Sequence, residues 1–515
     1  MARRRLARAF MSAVAAFIFP DAEIMFDQTL GVVRLGAQAK AGGHVLLRET
    51  EYAVNVKYFG AVGDSVTDDA DAIQAADAYA TSQGRALYFP KGRYAVRPNA
   101  IFRTGCPWEG QGKGVSIVCA LPGATFWNLS GLISCQNHTG CHTKAMGFDL
   151  SGGVYPYGTG NPGNIYWAIS FQLCVDWDFT DCEIKGIGAQ RIGLAVDGGS
   201  RFNIIRNRFK AAASPRYNQA CNISFASGLP TGYYFCDNVL EGSGFLTNGA
   251  SGIVSRNDVS DWQFGGGLTF GPNPGCENHT VEGNRCVGGS GTDINAVHPS
   301  GIEIWSPLSK INNNWCAYNA GEGIGGGGFG MRGEGNTCLN NGQIYGAGIT
   351  LNSISQAGVN YASSQSVWTN NTLCDTQSVP TQRYGYAEFI VGGPAMSQID
   401  VHGNKAFGNV TGAYLFTAGQ RSFRGTRLLT SAVGSIGTLG AGASTSQAVT
   451  IAGARRGDTP AVSYSVSIAG FAFSANCDAD NNVVIRVQNV SGGSLAFPAG
   501  SWSVAVEKTP NSAGY

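Results

Sequence analysis

Glu303 stands in Gly301-Ile302-Glu303-Ile304-Trp305. The alternation puts Ile302 and Ile304 on one face of a strand and Glu303 with Trp305 on the other. A carboxyl beside an outward indole suits sugar chemistry, because the acid can move a proton while the ring stacks on a pyranose. Asp293 and His298 lie in the loop just before it, GTDINAVHPS, and Asp261 and Trp262 lie one repeat earlier. Glu303, Asp293 and Asp261 are the candidate catalytic carboxyls; Trp305, Trp262 and His298 are the candidate carbohydrate contacts. Hydrolysis of a glycosidic bond uses two carboxyls, about 5 Å apart for retention and about 6.5–9.5 Å apart for inversion. Elimination uses a base and a group that neutralises a uronate, commonly Ca²⁺ or Arg. Each residue also has a plain structural reading: a solvated acid for Glu303, a His-Pro turn for His298. Asp237 and Glu241 are acids that flank another turn.

No metal centre is expected. Cys135, His138, Cys141 and His142 in CQNHTGCH carry zinc-type donors, but a surface turn beside core cysteines is the preferred reading. GEGIGGGGFG (321–330) lacks the Lys-Ser/Thr of a phosphate loop and reads as tightly packed chain or close approach to a ligand. No cofactor is expected, with Ca²⁺ needed only for a lyase.

The elements that must position these residues follow from composition and repetition. Of 515 residues only 13% are charged and 74 are glycine, with a net charge of +1. That excludes a bulk electrostatic pull on nucleic acid and favours short strands with tight turns. Apolar strands broken by asparagine recur, as in FNIIRNRF, GIVSRNDV, SKINNNWC and IDVHGNKA. The shared station is Asn207, Asn238, Asn257, Asn284, Asn314, Asn336, Asn371 and Asn404, with Asp181 in an earlier repeat, at intervals of 19 to 35 residues. Such a period marks a solenoid. Asparagine at a turn tolerates the left-handed region, and stacked amides can bond from coil to coil. Two residues further on stand Phe209, Leu240, Val259, Cys286, Cys316, Cys338, Leu373 and Ala406, which form one interior stack. Cysteine there acts as a small hydrophobe, so most of the fourteen cysteines are expected reduced and buried. That suits folding in a reducing cytoplasm. A further strand set predicts an outward row of Ala195, Ser224, Thr269, Glu303, Thr350 and Ile390, a flat parallel face on which a long polysaccharide can lie.

The opening of the solenoid carries a specific motif: Phe59-Gly60-Ala61-Val62-Gly63-Asp64, then Thr67-Asp68-Asp69 capping a helix that ends at Gly84, then Tyr88-Phe89-Pro90-Lys91-Gly92-Arg93-Tyr94. It resembles the start of pectate-lyase-superfamily (pectin-lyase-like) β-helix proteins of the phage tailspike type, with Ser65 where the family has Gly. In that family the segment seals the N-terminal end of the solenoid and carries no catalytic residue. The resemblance therefore implies fold: all-β, a right-handed parallel β-helix over 54–424 with its cap at 54–97. The N-T-D and G-H-G stations of polygalacturonases are missing, so that family's active site does not carry over.

Residues 1–53 are expected to be a particle-docking segment, with a basic, apolar start. The alternative is a signal peptide over residues 1–22, against which Pro20-Asp21-Ala22-Glu23 offers no small-x-small cleavage pattern. Residues 425–515 alternate in short runs (Ala448–Ile451, Ala461–Ile468, Val483–Val487, Trp502–Val506) and predict a small β-sandwich for trimerisation or carbohydrate binding. The expectation is a virion surface spike, a parallel homotrimer that binds and can depolymerise a host surface polysaccharide. The alternatives are a non-catalytic spike adhering to capsule, and a secreted bacterial lyase or glycoside hydrolase.

Overall fold

A computed structural model describes residues 24–27, 32–35, 45–46, 53–126, 130–155, 166–188, 191–212, 219–224, 226–263, 265–290, 299–342, 346–356, 359–415, 421–422, 427–451 and 454–507. The expected docking helix near the N-terminus falls outside them. The chain divides into two compact units, residues 1–212 with 226–228, and residues 213–225 with 229–515.

In the first unit each coil contributes three short strands to three parallel sheets. One coil runs Val175–Thr180, Glu183–Ile187 and Arg191–Asp197, and parallel pairing joins these to the strands of the next coil and the one before. Apolar residues at every second position face inward. Tyr94, Val118, Phe148, Ile184 and Phe209 form one such interior row by register. Trp177 is sandwiched between Phe171 and Phe202, with centroids 4.1 and 4.6 Å away.

The N-terminal end of this unit is closed by the helix Ala70–Ser82, whose Ile73, Ala76 and Ala80 are buried. Its N-cap is Asp69 rather than Thr67, which lies in the strand Asp64–Asp68. The Asp69 carboxylate turns back to accept the Val62 and Gly63 amides at 2.6 and 3.0 Å, fixing the glycine turn of the motif. Asp77, fully buried on the same helix, accepts from Thr104 N, Thr104 Oγ1, Cys106 Sγ and Trp108 Nε1 at 2.6 to 3.0 Å. It ties the cap to the first full coil. Asp77→Ala is expected to cost about 3–5 kcal/mol by orphaning several buried donors, read as a lower denaturant midpoint.

The second unit continues the same coil plan, for example Lys310–Asn312, Trp315–Ala317 and Ile324–Gly326. Its interior row is Leu240, Val259, Cys286, Cys316, Cys338, Leu373 and Ala406, in one register. This is the expected stack. All fourteen cysteines are buried.

The asparagine station does its work differently from the expectation. The left-handed residue is the one before it: Asp237, Arg256, Gly283, Asn313, Gly335, Asn370 and Gly403 all have φ between 54° and 67°. The asparagines themselves form a buried amide ladder. In each step the side-chain oxygen accepts both the backbone N–H and the side-chain N–H of the preceding coil's asparagine, at 2.8 to 3.0 Å from Asn238 through to Asn404. In the first unit Asn207 Oδ1 likewise accepts Cys182 N, so Cys182 holds the ladder position and Asp181, at φ 56°, is the turn residue. A second ladder, Asn319–Asn341–Gln382–Asn409, closes the next corner of the coil.

Beyond the last coils the strand Arg427–Val433 pairs parallel with Lys405–Phe407 on one edge and antiparallel with Ser501–Glu507 on the other. Thr459–Tyr464 extends this sheet, and Ser444–Thr450, Asn482–Asn489 and Phe471–Ala479 make a second antiparallel sheet. A core of Tyr464, Phe497 and Trp502 lies between them.

Candidate functional site

The third sheet of the second unit carries one outward row by register: Asn222, Leu246, Thr269, Glu303, Gly325, Thr350, Ala387 and Leu415. Thr269, Glu303 and Thr350 are in it as expected. Ser224 lies two residues off, and Ile390 pairs with Ser353 instead. In the first unit Ala195 continues a row with Ser134 and Ser170. The row in the second unit is not open along its length, since Thr350 and Ala387 are buried. Glu303 itself is partly buried.

Glu303 lies between Thr269 and Gly325 in the row. Its carboxylate accepts the Trp305 indole N–H at 2.9 Å. Gly266 comes so close that a Cβ there would lie 3.0 Å from Glu303 Cβ. Glycine at 266 thus lets the backbone wall the acid in. Burial pushes the Glu303 carboxyl above the usual carboxylate range, the nearby Glu322 charge adds to the rise, and the Trp305 and Gly266 N–H donors oppose it. Glu322 is the residue the sequence reading missed. It lies just before the strand Ile324–Gly326, where its side chain covers Gly325, the register partner of Glu303. Ser300 Oγ donates to its Oε2 at 2.7 Å. Gly325 has no side chain to stand between the two acids. The only earlier hint was its place in the glycine-rich run 321–330, whose tightness is real: a Cβ at Gly326 would run into the Ile304 carbonyl.

Trp305 is half-buried beside Tyr361, edge to face at 6.2 Å. Tyr361 stands on the strand Val359–Tyr361, which folds back antiparallel on Ala347–Gln356. Its hydroxyl is buried and has no hydrogen-bond partner among the described residues, and burial raises its pKa.

Trp262 is a correction. It is fully buried, its indole N–H donates to Gly265 O at 3.1 Å, and Gly289 packs against its ring. The reason is Asp261, whose φ of 58° breaks the strand alternation and swings the next side chain inward. Trp262 is core, with no face for a sugar. Asp261 is exposed in the turn after Asp258–Ser260, a strand of the neighbouring sheet, and is not part of the Glu303 row. Asp293 and His298 lie outside the described residues.

Among the described residues no group of His, Cys, Asp and Glu side chains is arranged to hold a metal ion. Cys135 and Cys141 are core residues, as expected, and His142 pairs with Asp178 at 2.9 Å.

Residues 53–148 match the family model for rhamnogalacturonase A/epimerase, pectate lyase-like. No curated protein sequence matches the chain. Among solved structures, the tailspike protein gp49 from Pseudomonas phage LKA1 is similar at 10% identity and TM-score 0.50, over 89% of this chain and 100% of that one. The Dettilon tailspike protein gp208 is 14% identical at TM-score 0.47, over 88% and 94%. The A-module of the Azotobacter vinelandii mannuronan C-5 epimerase AlgE4 is 16% identical at TM-score 0.47, over 73% and 100%. Three parallel sheets, the sealed N-terminal motif and the matched segment agree: the chain carries a pectate-lyase-like domain at residues 53–148 and folds as a right-handed parallel β-helix.

Proposed function

We propose that the protein is a virion surface spike that binds a host surface polysaccharide on its third sheet and cleaves it by hydrolysis. The observation that carries the cleavage is the carboxyl pair Glu303 and Glu322 on adjacent coils, with Trp305 beside it. Glu303, whose raised pKa keeps it protonated to higher pH, is the general acid on the leaving oxygen. Glu322, held by Ser300, is the carboxylate that activates water or attacks the anomeric carbon. Trp305 supplies the stacking surface. Residues 1–53 would dock on the particle, and the assembly would be a homotrimer folded in the host cytoplasm.

The test is an incubation of the full-length protein with purified capsular and lipopolysaccharide O-chain preparations. New reducing ends without an unsaturated uronate chromophore support hydrolysis. A chromophore means elimination, with Ca²⁺ or Arg as partner, and binding without new ends selects a non-catalytic spike. Trp305→Phe provides a finer check. It keeps a ring but removes the N–H donor that favours the ionised Glu303. The Glu303 pKa should rise further, and the alkaline limb of the pH–rate profile should move to higher pH.

A further inference from the structure

In the first unit, the corner between the strands Ser130–Gln136 and Thr143–Lys144 brings thiols together. Cys135 stands near the end of the first strand, and Cys141 follows across Gln136-Asn137-His138-Thr139-Gly140. Asn137 at φ 57° and Gly140 at φ 77° fold the chain back. Cys135 Sγ then meets Cys141 Sγ at 2.8 Å. A disulfide bond is about 2.05 Å long, so closing one asks the sulfurs to move by under about 1 Å. Cys174, at the matching corner of the next coil, lies 3.7 Å from Cys135.

The surroundings favour a thiolate. Arg103 is buried beside these cysteines. Its guanidinium donates to Thr143 Oγ1, Cys106 O and His142 O at 2.7 to 2.9 Å, and its Nε has no partner among the described residues. The S–H of Cys135 donates to Cys141 and holds the Cys141 thiol below its ordinary range. The Arg103 charge adds to this, while burial and the Asp77 charge oppose it.

The pair is fully buried but close to solvent. Gln136, Asn137 and Thr139 are exposed. The corner is tied to the next coil by Asn137 N–H to Gln172 O, Gly140 N–H to Val175 O and Val175 N–H to His138 O. Breaking these few bonds opens it without unstacking a coil. Cys286, Cys316 and Cys338, by contrast, each sit at the centre of a strand in the interior row.

We propose that Cys135 and Cys141 form a thiol–disulfide exchange site that reacts with a small-molecule disulfide and closes into a bond that pins this corner. The Cys141 thiolate attacks one sulfur of the reagent, makes a mixed disulfide and expels a small thiolate. That thiolate takes the proton of Cys135. The Cys135 sulfur then attacks Cys141 and expels the second small thiolate, which is protonated by water. The two cysteines give up two electrons and the reagent's S–S bond takes them. The assignment does not depend on the cleavage reading.

The test starts from full-length protein purified under reductant, freed of it, and incubated in the folded state with oxidised glutathione. The sample is then unfolded in N-ethylmaleimide and mapped by peptide mass spectrometry. Two of the fourteen cysteines should escape alkylation, joined as Cys135–Cys141 in a bond that dithiothreitol reverses. Amide exchange over residues 136–142 should slow about tenfold on oxidation, because opening then works against a cross-link. Cys174→Ser should still form the bond and Cys141→Ser should not. Glu303→Gln should oxidise as the parent does, so this proposal and the cleavage reading fail separately. Fourteen alkylated cysteines would overturn the assignment. So would a bond from Cys135 to Cys174, a bond within the interior row, or a mixed disulfide on Cys141 that Cys135 never resolves. A bond that leaves amide exchange at the corner unchanged would overturn its role as a pin.

Discussion

Replacing Glu303 by glutamine is expected to lower polysaccharide cleavage by about 10²–10⁴-fold, the usual contribution of a positioned general acid, while leaving glycan binding and native mass unchanged. The amide keeps the size and can still face Trp305 but cannot deliver a proton. Glu322→Gln should produce a loss of similar order, because each carboxyl is useless without the other. In the parent protein the rate should fall as pH rises through the raised Glu303 pKa, since the acid form is the working one. The same shift has a stability consequence of definite sign. A carboxyl whose folded-state pKa is raised by burial opposes folding when ionised. That penalty is absent below its unfolded value, about 4.3, and grows as pH climbs from there through the folded value. Glu303→Gln should therefore melt at a higher temperature than the parent at neutral pH, and the gap should close under acid conditions. A variant that cleaves at the parental rate would remove Glu303 from the mechanism. One that melts lower at neutral pH would contradict the buried, raised carboxyl.

Asn336→Ala should be the most damaging single change away from the site. Asn336 is fully buried and connects three coils. Its Oδ1 accepts Asn314 N and Nδ2 at 3.0 Å. Its Nδ2 donates to Ile311 O at 2.8 Å and to Asn371 Oδ1 at 2.9 Å. Alanine leaves two donors, the Asn314 backbone N–H and one Asn314 Nδ2 hydrogen, without their acceptor in a dry interior. At about 1–3 kcal/mol for each unmet group, the cost is about 2–6 kcal/mol. Asn336→Asp should cost a comparable amount, since it keeps an acceptor but buries a charge and loses both donors. The check is chemical unfolding followed by intrinsic fluorescence, with Asn313→Ala as a control. Asn313 is the turn residue next door, at φ 54°, and its loss should bring only the smaller cost of a non-asparagine residue in the left-handed region. Equal effects at 313 and 336 would mean that turn conformation, not the amide ladder, is what the station supplies.

Much of this was legible in the residue string because a solenoid writes itself locally. The period, the interior stack of Cys286, Cys316 and Cys338, and the glycine turn before the cap helix each depend on neighbours a few residues or one coil away. Where the reading slipped, it slipped by one or two positions. Thr67 was expected at the helix cap that Asp69 occupies, and Asn was expected to be the turn residue that its predecessor is. Both errors have one cause: the same residue types serve turns, caps and side-chain ladders, and composition does not say which neighbour takes which part.

The site depends on more distant information. Glu303 and Trp305 share a strand, so their common face follows from alternation alone, and the sequence by itself determined that pair along with the parallel β-helix, its cap and its buried thiols. Glu322 could be joined to Glu303 only by the register between coils, which loops of unequal length set and no local pattern encodes. Trp262 was lost to the core because one left-handed residue, Asp261, reversed the faces after it. The burial that raises Glu303 and the closure of the row at Thr350 belong to the tertiary structure as well. Each arises where segments far apart in the chain come within contact distance, and there desolvation and packing, not residue type, decide what a side chain can do.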